Sequence, residues 1–332
     1  DPIIFTSIKD DTAGGDTNAD GSASTPAPGD WGFILFGANS NLAHVRVSYG
    51  GANTWNNVFT EAVAAGAGEK LIIDSEFSHS LHAALYNYAD SVKIVRSNIH
   101  DNETGIFSSP LQNLAGSTRL ATLEDSSVHD NSLYGIHATY SLSGVGAKIT
   151  NSLTFSRNSF TGNNRAVIAD VSTKFNHSDN TATGNGRNGI VLRQGANPAS
   201  VTYRAGDLPY IIDQDTFYRL GSFSIEPGTI FKLENGANFD LHGDVSASFV
   251  GTLDQPIIFT SVKDDSVGGD TNNDGLTSSP QAGDWAYLGI SKKAGMNNQP
   301  VEYLKARYGG AVTWFGRQPT AKIIFVNTGI TP

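Results

Sequence analysis

Two short acidic runs, Asp16-Thr17-Asn18-Ala19-Asp20-Gly21 and Asp270-Thr271-Asn272-Asn273-Asp274-Gly275, set oxygen-bearing side chains at alternate positions ahead of a glycine. Calcium asks for about six to eight hard oxygens, and alternate spacing lets an irregular loop wrap them round one point while glycine takes the sharp turn. The carbonyls of Ser22 and Leu276 fall where such loops offer main-chain oxygen. An EF-hand closes with a glutamate, but eleven residues after Asp16 and Asp270 stand Ala27 and Gln281, so these are not EF-hands. Asp30 and Asp284, fourteen residues on, are candidates to close the site instead, and Asp10, Asp11, Asp264 and Asp265 can add oxygens from the preceding strand end. The competing reading is a solvated loop whose carboxylates merely cap backbone amides. Both runs keep the acidic spacing while neighbours such as Ala19 and Asn273 differ, which favours Ca2+. A bound ion would also rigidify a long excursion that otherwise carries a closure entropy.

The runs sit in a block that occurs twice. Pro2-Ile3-Ile4-Phe5-Thr6-Ser7 through Gly29-Asp30-Trp31 matches Pro256-Ile257-Ile258-Phe259-Thr260-Ser261 through Gly283-Asp284-Trp285 at a constant offset of 254 residues. Beyond it, Tyr49-Gly50-Gly51 and Trp55 match Tyr308-Gly309-Gly310 and Trp314 at an offset of 259. Such self-similarity marks a repeat architecture. Each tryptophan follows a candidate ligand or a Gly-Gly turn, where a large indole serves to anchor an excursion; glycan stacking is the sharper alternative.

The balance of 22 Lys and Arg against 32 Asp and Glu, a formal charge of −10, excludes the clustered positive charge that nucleic acid requires. With no cysteine, disulfides and zinc-thiolate sites are excluded. No apolar run is long enough for a transmembrane segment. Thirty-six glycines and only 16% charged residues suit short strands joined by tight turns.

Runs such as Ile3-Ile4-Phe5, Leu71-Ile72-Ile73, Ile230-Phe231-Lys232-Leu233 and Ile323-Ile324-Phe325-Val326, each closed by Gly, Asn, Asp or Pro, predict strands separated by turns. A finer repeat runs between them: Ser97-Asn98-Ile99-His100-Asp101-Asn102 with Gly105-Ile106, Ser127-Val128-His129-Asp130-Asn131 with Gly135-Ile136, Ser159-Phe160-Thr161-Gly162-Asn163, and Thr183-Gly184-Asn185 with Gly189-Ile190. Asparagines 102, 131, 163 and 185 stand 29, 32 and 22 residues apart, about one coil of a parallel β-helix. Stacked coils would place them above one another, bridging the backbone of neighbours without any catalytic role.

The pattern resembles the right-handed parallel β-helix family, the fold of pectate lyases and many bacterial surface proteins. More specifically, Phe223-Ser224-Ile225-Glu226-Pro227-Gly228-Thr229, followed by Gly251-Thr252 and the second Pro-Ile-Ile-Phe-Thr-Ser block, is similar to a repeating unit of large secreted bacterial adhesin-like proteins. The first unit lacks that Ile-Glu-Pro-Gly-Thr portion, and Asp1 aligns with Gln255 inside the block, so the sequence reads as a piece of a longer protein. We expect a single all-β solenoid over residues 1–332, a right-handed parallel β-helix with calcium-binding loop excursions, in which 1–205 is a first repeat unit and 206–332 the start of a second.

His79, His82, His100, His129 and His137 gather in the middle coils with Asp101, Glu103, Glu124, Asp125 and Asp130. A polysaccharide lyase or hydrolase needs a base and an acid on one face, yet these residues belong to the turn repeat itself, and catalysis requires their environments to differ. The arginine-and-aspartate set that a pectate-lyase-like site would want finds no match residue by residue, so no catalytic residue is assigned. Tyr86, Tyr88, Tyr134 and Tyr140 could line a sugar-binding groove or simply populate strand faces. The resemblance implies an extracellular or cell-surface structural and adhesive protein that displays a surface to a glycan or another cell. The alternatives are a lyase acting on an acidic glycan and the subunit of a filament formed by end-to-end self-association.

Overall fold

The computed structural model describes residues 1–37, 40–52, 61–65, 68–87, 91–109, 118–139, 150–194, 200–214, 216–292, 301–310 and 323–327. Among them every regular element is a short β-strand and every registered pairing is parallel. The chain falls into two compact units, one of Asp1–Val167 with Ser178–Gly186, the other of Ile168–His177 with Arg187–Pro332.

The first unit winds three strands per coil. One sheet stacks Ile3–Phe5, Val45–Ser48, Glu76–Ser78, Asn98–His100, Ser127–His129, Ser159–Thr161 and Thr181–Thr183. The second runs through Ala83–Asn87, Thr104–Ser108 and Tyr134–Ala138, the third through Glu69–Ile73, Ser91–Val95, Thr118–Glu124 and Thr150–Ser156. A single inward position per strand suffices to build the core, because coils stack in register. Val47, Phe77, Ile99, Val128 and Phe160 form one buried column, Leu85, Ile106 and Ile136 another, and Ile72, Ile94, Leu123 and Phe155 a third. Each column removes branched or aromatic side chains from water at about 25 cal/mol per Å².

Asparagine columns close the bends as the spacing predicts. The side-chain amides of Asn102, Asn131 and Asn163 each donate to Oδ1 of the asparagine one coil on, at 3.0, 2.9 and 2.9 Å, ending on Asn185. The same Oδ1 atoms receive the backbone N–H of the coil before, at 3.2, 3.1 and 3.0 Å, so a buried turn has no orphaned amide there. A second column stands at the other bend: Ser75, Ser97, Ser126, Asn158 and Asn180, each taking the backbone N–H of its counterpart or strand start one coil before. The residue ahead of each, namely Asp74, Arg96, Asp125, Arg157 and Asp179, has a left-handed φ of 47–58°. Gly105 and Gly135 mark closer contact: a Cβ would stand 2.7 Å from the Gly135 carbonyl oxygen and 2.5 Å from that of Ala166.

The second unit is built the same way from Ile190–Arg193, Tyr210–Ile212, Ile230–Leu233, Ile257–Ser261 and Leu304–Ala306 in one sheet. Ser200–Tyr203, Thr216–Ile225, Phe239–Val250, Leu288–Lys292 and Ile323–Asn327 form the other. Its core is aromatic: Tyr203, Tyr210, Phe223, Phe231, Phe239, Phe249 and Phe259 are buried with ring centroids about 5–6 Å from their neighbours, near the optimum for offset and edge contacts. The sequence boundary at 205/206 lies inside this unit.

Candidate metal centre

Both acidic runs leave a sheet strand, Ile3–Phe5 or Ile257–Ser261, and fold into matching loops. Ala19 and Asn273, different residue types at one repeat position, share φ of 57° and 56°. Asp16 organises the first loop by accepting the N–H groups of Asp20 at 3.1 Å and Gly21 at 2.9 Å; Asp270 does the same with Asp274 at 3.1 Å and Gly275 at 2.9 Å. Asp20 Oδ2 accepts from Asn18 Nδ2 at 2.9 Å and from the Ser24 hydroxyl, and Asp274 Oδ2 from Asn272 Nδ2 at 2.7 Å and from the Ser278 hydroxyl.

This scaffold brings three carboxylates together in each loop. One oxygen each from Asp11, Asp16 and Asp20 lie within 4.8 Å of one another, and so do those of Asp265, Asp270 and Asp274. Hydrogen bonds inside the loops leave a remainder: Oδ1 of Asp11, and Oδ1 of Asp265, Asn272 and Asp274, are buried without a hydrogen-bond partner. A buried, partnerless carboxylate oxygen is costly unless a cation or donor meets it. Burial, then the charges of Asp16, Asp20 and Asp10, push the Asp11 carboxyl up. Burial and the Asp270 charge do the same to Asp265, against the opposing pull of Lys232. The donor set is all oxygen, which suits a hard cation and not zinc or copper.

The remaining sequence candidates stand apart from these triads. Asp30, expected to close the first site, has turned its carboxylate to the Lys9 ammonium at 2.6 Å, the Ser7 hydroxyl at 2.6 Å and the Ala27 N–H at 2.9 Å. Asp284 repeats the arrangement with Lys263 at 2.8 Å, Ser261 at 2.8 Å and Gln281 at 2.9 Å. Asp10 is held by the hydroxyls of Thr6 and Thr12 at 2.6 and 2.5 Å, and Asp264 by those of Thr260 and Ser266 at 2.6 and 2.5 Å. These four pin the excursion to its strand. Burial alone would raise Asp30 and Asp284, but the donors around them outweigh it and hold both below the usual carboxylate range. Ser22 and Leu276 are exposed, and at this repeat position the oxygen the two copies share is the main-chain carbonyl.

Sequence reading missed one charged member of the second loop. Lys232, fully buried, donates from Nζ to the Gly269 carbonyl. Burial pulls its pKa down to about 8, although Asp265, Asp264 and Asp270 act in the opposite sense. Its place mid-strand in Ile230–Leu233 concealed it, since a lysine between apolar residues ordinarily reads as an outward strand position.

The tryptophans take the anchoring role. Trp31 Nε1 donates to the Ser48 carbonyl at 2.8 Å and Trp285 Nε1 to that of Arg307 at 2.6 Å. A Cβ at Gly309 would lie 2.8 Å from the Trp285 ring, which ties the Tyr-Gly-Gly turn to the Gly-Asp-Trp end of the second block. Trp55 and Trp314 lie outside the described residues, as do Tyr88 and Tyr140. The tyrosine groove needs correction: Tyr86 is 2% exposed and stacks on Phe107 with centroids 5.3 Å apart, so its face is not offered to a ligand. Tyr134 is half-buried against His137.

The histidines do stack. His100 and His129 lie parallel at 4.8 Å and 1°, with Nδ1 of each paired to the next residue, Asp101 at 2.6 Å and Asp130 at 2.8 Å. The other ring nitrogens meet Glu76 at 3.3 Å and Asn98 at 3.0 Å. Nearby acids are likewise matched to bases on adjacent coils, Asp74 with Arg96, Glu124 with Lys93 and Asp125 with Arg157, at 2.8, 2.9 and 2.6 Å. On both coils the histidine Nδ1 keeps the same pairing with the aspartate that follows it, a property of the turn repeat.

A family model described as a right handed beta helix region matches residues 44–204. No curated protein and no solved structure matches the chain. The fold is an all-β right-handed parallel β-helix. No helix among the described residues is long and apolar enough to cross a membrane.

Proposed function

We propose that this chain is a calcium-stabilised β-helix of an extracellular or cell-surface protein, structural and adhesive in role, which displays its stacked coils to a glycan or another cell. One observation carries this reading: the same three-carboxylate cluster is built twice, with one buried oxygen that lacks a donor in the first loop, on Asp11, and three in the second, on Asp265, Asn272 and Asp274. Residues that hold such a cluster open against its own repulsion are placed for a dication, and the oxygen-only donor set selects calcium at extracellular concentrations. Asp11, Asp16 and Asp20, and Asp265, Asp270 and Asp274, are the side-chain ligands of this proposal, with Asn18, Asn272 and the carbonyls of Ser22 and Leu276 completing the shells. The matched ion pairs and bend hydrogen bonds of the middle coils support a scaffold in preference to a lyase.

Thermal unfolding with and without calcium tests it, on the natural chain and on Asp20→Ala combined with Asp274→Ala. At a calcium concentration about 100 times the dissociation constant, each ion adds about 2.7 kcal/mol to the folded state. The natural chain should gain several degrees in Tm and the double variant none. An unchanged Tm in the natural chain would reduce both loops to hydrogen-bonded turns.

A further inference from the structure

The chain holds three Asn-Gly pairs, at 185–186, 188–189 and 235–236. In such a pair the glycine nitrogen, with no Cβ beside it, can approach the preceding side-chain carbonyl carbon. Attack there closes a five-membered succinimide ring, and a folded chain prevents it by hydrogen bonds and packing that must first open. Asn185 is 0% exposed. Its amide donates to the Phe160 and Thr183 carbonyls at 2.9 and 3.3 Å, its Oδ1 accepts from Asn163 N–H and Nδ2 at 3.0 and 2.9 Å, and the Gly186 N–H donates to the Asn163 carbonyl at 2.9 Å. Asn188 is buried too, with its side-chain amide on the Asp270 carbonyl at 2.8 Å and its own N–H on that of Thr271 at 2.9 Å. A Cβ at Gly189 would stand 2.7 Å from the Pro209 carbonyl oxygen, so this pair has no room to turn.

Asn235 is unlike these two. It is exposed, in a turn closed by the Ala237 N–H on the Glu234 carbonyl at 3.0 Å, and its side chain makes no hydrogen bond among the described residues. Gly236 follows with a φ of 75° and with nothing within 4 Å of where a Cβ would stand. Its N–H makes one long bond, to the Asp284 carbonyl at 3.3 Å. The two Asp-Gly pairs, which are open to the same ring closure, are better held: the Gly21 and Gly275 N–H groups sit on the Asp16 and Asp270 carboxylates at 2.9 Å.

We propose that Asn235 is a self-modification site, at which the chain deamidates without an enzyme and then isomerises. The Gly236 nitrogen attacks Asn235 Cγ; the new N–C bond forms, the bond from Cγ to the side-chain nitrogen breaks, and ammonia leaves with the proton that Gly236 gives up. Water then opens the ring at either of its two carbonyls. One opening yields aspartate, the other isoaspartate, in which the main chain runs through Cβ and Cγ and is one carbon longer inside the turn.

That turn holds the end of the second excursion. Beside the Gly236 bond to Asp284, the Ala286 N–H donates to the Ala237 carbonyl at 2.9 Å and the Phe239 N–H to the Tyr287 carbonyl at 3.1 Å. The aspartate product keeps this backbone and adds one charge next to Glu234, which Arg187 already pairs. The isoaspartate product displaces Gly236 and loosens the Gly-Asp-Trp end from its seat. The site stands independently of whether the loops hold calcium.

The test incubates the intact folded chain in mildly alkaline buffer beside a urea-unfolded sample. Both are mapped by mass spectrometry, with fragmentation that separates isoaspartate from aspartate. In the folded chain Asn235 should convert while Asn185 and Asn188, whose bonds must open first, lag by about tenfold or more. In urea the three should convert at similar rates. Asn185 or Asn188 converting as fast as Asn235 in the folded chain would overturn the proposal, and so would an Asn235 that converts only in urea. Amide exchange reads the consequence. The aged natural chain should exchange faster at Gly236 and Ala286 than Asn235→Gln aged alongside it, and fresh Asn235→Asp, with the charge but not the longer backbone, should match the fresh natural chain. Equal exchange in the aged chain and in Asn235→Gln overturns the link to the excursion.

Discussion

Asn131 donates its side-chain amide to Asn163 Oδ1 at 2.9 Å and to the Ile99 carbonyl at 3.3 Å, while its own Oδ1 receives both the backbone and side-chain N–H of Asn102, at 3.2 and 3.0 Å. One side chain therefore satisfies polar groups on the coils to either side of its own. Asn131→Ala takes the acceptor from the buried Asn102 N–H, while the Asn102 side-chain amide keeps the Phe77 and His100 carbonyls, and it should destabilise the protein by about 1–3 kcal/mol. Asn131→Asp keeps the acceptor but loses both donations and should also destabilise. Urea unfolding reads both, and a loss under about 0.5 kcal/mol for the alanine variant would mean that the column is not a source of stability.

At Gly135 an added Cβ would meet the Ala166 carbonyl oxygen at 2.5 Å and the Phe160 and Val128 side chains at 3.3 Å. Gly135→Ala should lower stability by about 1–3 kcal/mol, because neighbouring coils cannot part without breaking their ladder. Gly37→Ala, where the nearest atom is the Ser40 hydroxyl at 3.9 Å, is the control and should be close to neutral. Equal Tm values for the two variants would contradict the close coil contact.

The two kinds of aspartate in the second excursion should separate cleanly. In Asp265→Asn the calcium-dependent gain in Tm should fall or vanish, since an orphaned oxygen of the triad is changed. In Asp284→Asn the chain should be less stable throughout yet keep its calcium increment, because that carboxylate is already engaged by Lys263, Ser261 and the Gln281 N–H. Loss of the increment in Asp284→Asn alone would return that residue to the ligand shell.

Asp284 also sets an acid-stability prediction. Its folded pKa lies below the ordinary 3.8, since its donors outweigh burial. A depressed carboxylate contributes stability that is complete above the unfolded pKa and is lost as pH falls through the folded value. Unfolding measured from about pH 6 downward should therefore weaken from about pH 4, less steeply in Asp284→Asn. Identical acid limbs would show that the carboxylate is not the linked group.

Much of the architecture is legible in the residues. Asparagine at a bend carries a strong turn signal, so the 102, 131, 163 and 185 column could be placed by spacing alone. The companion column is mostly serine, which carries a weaker signal, yet it is preceded each time by an Asp or Arg in left-handed geometry: Asp74-Ser75, Arg96-Ser97, Asp125-Ser126, Arg157-Asn158, Asp179-Asn180. That charged-then-small dipeptide was the available clue. In the loops, spacing identified the acidic residues but not the direction of each carboxylate. Asp11 and Asp265 contribute to the clusters while Asp10 and Asp264, one residue away, are held by threonine hydroxyls, a division made in the turn that follows each strand. Tyr86 was unreadable because outward strand positions can still be covered.

The left-handed bend column has its own arithmetic. Its side chains alternate in sign from coil to coil, Asp74, Arg96, Asp125, Arg157, Asp179, with Asp74 fork-bonded to Arg96 and Asp125 to Arg157, and with Arg96 and Arg157 also feeling Asp125 and Asp179. Removing one coil between Arg96 and Arg157 would set two guanidiniums side by side; removing two adjacent coils would restore opposite neighbours. Growth or shortening of this stretch by duplication and deletion is thus favoured in even steps, a parity rule written in charge along one edge of the helix.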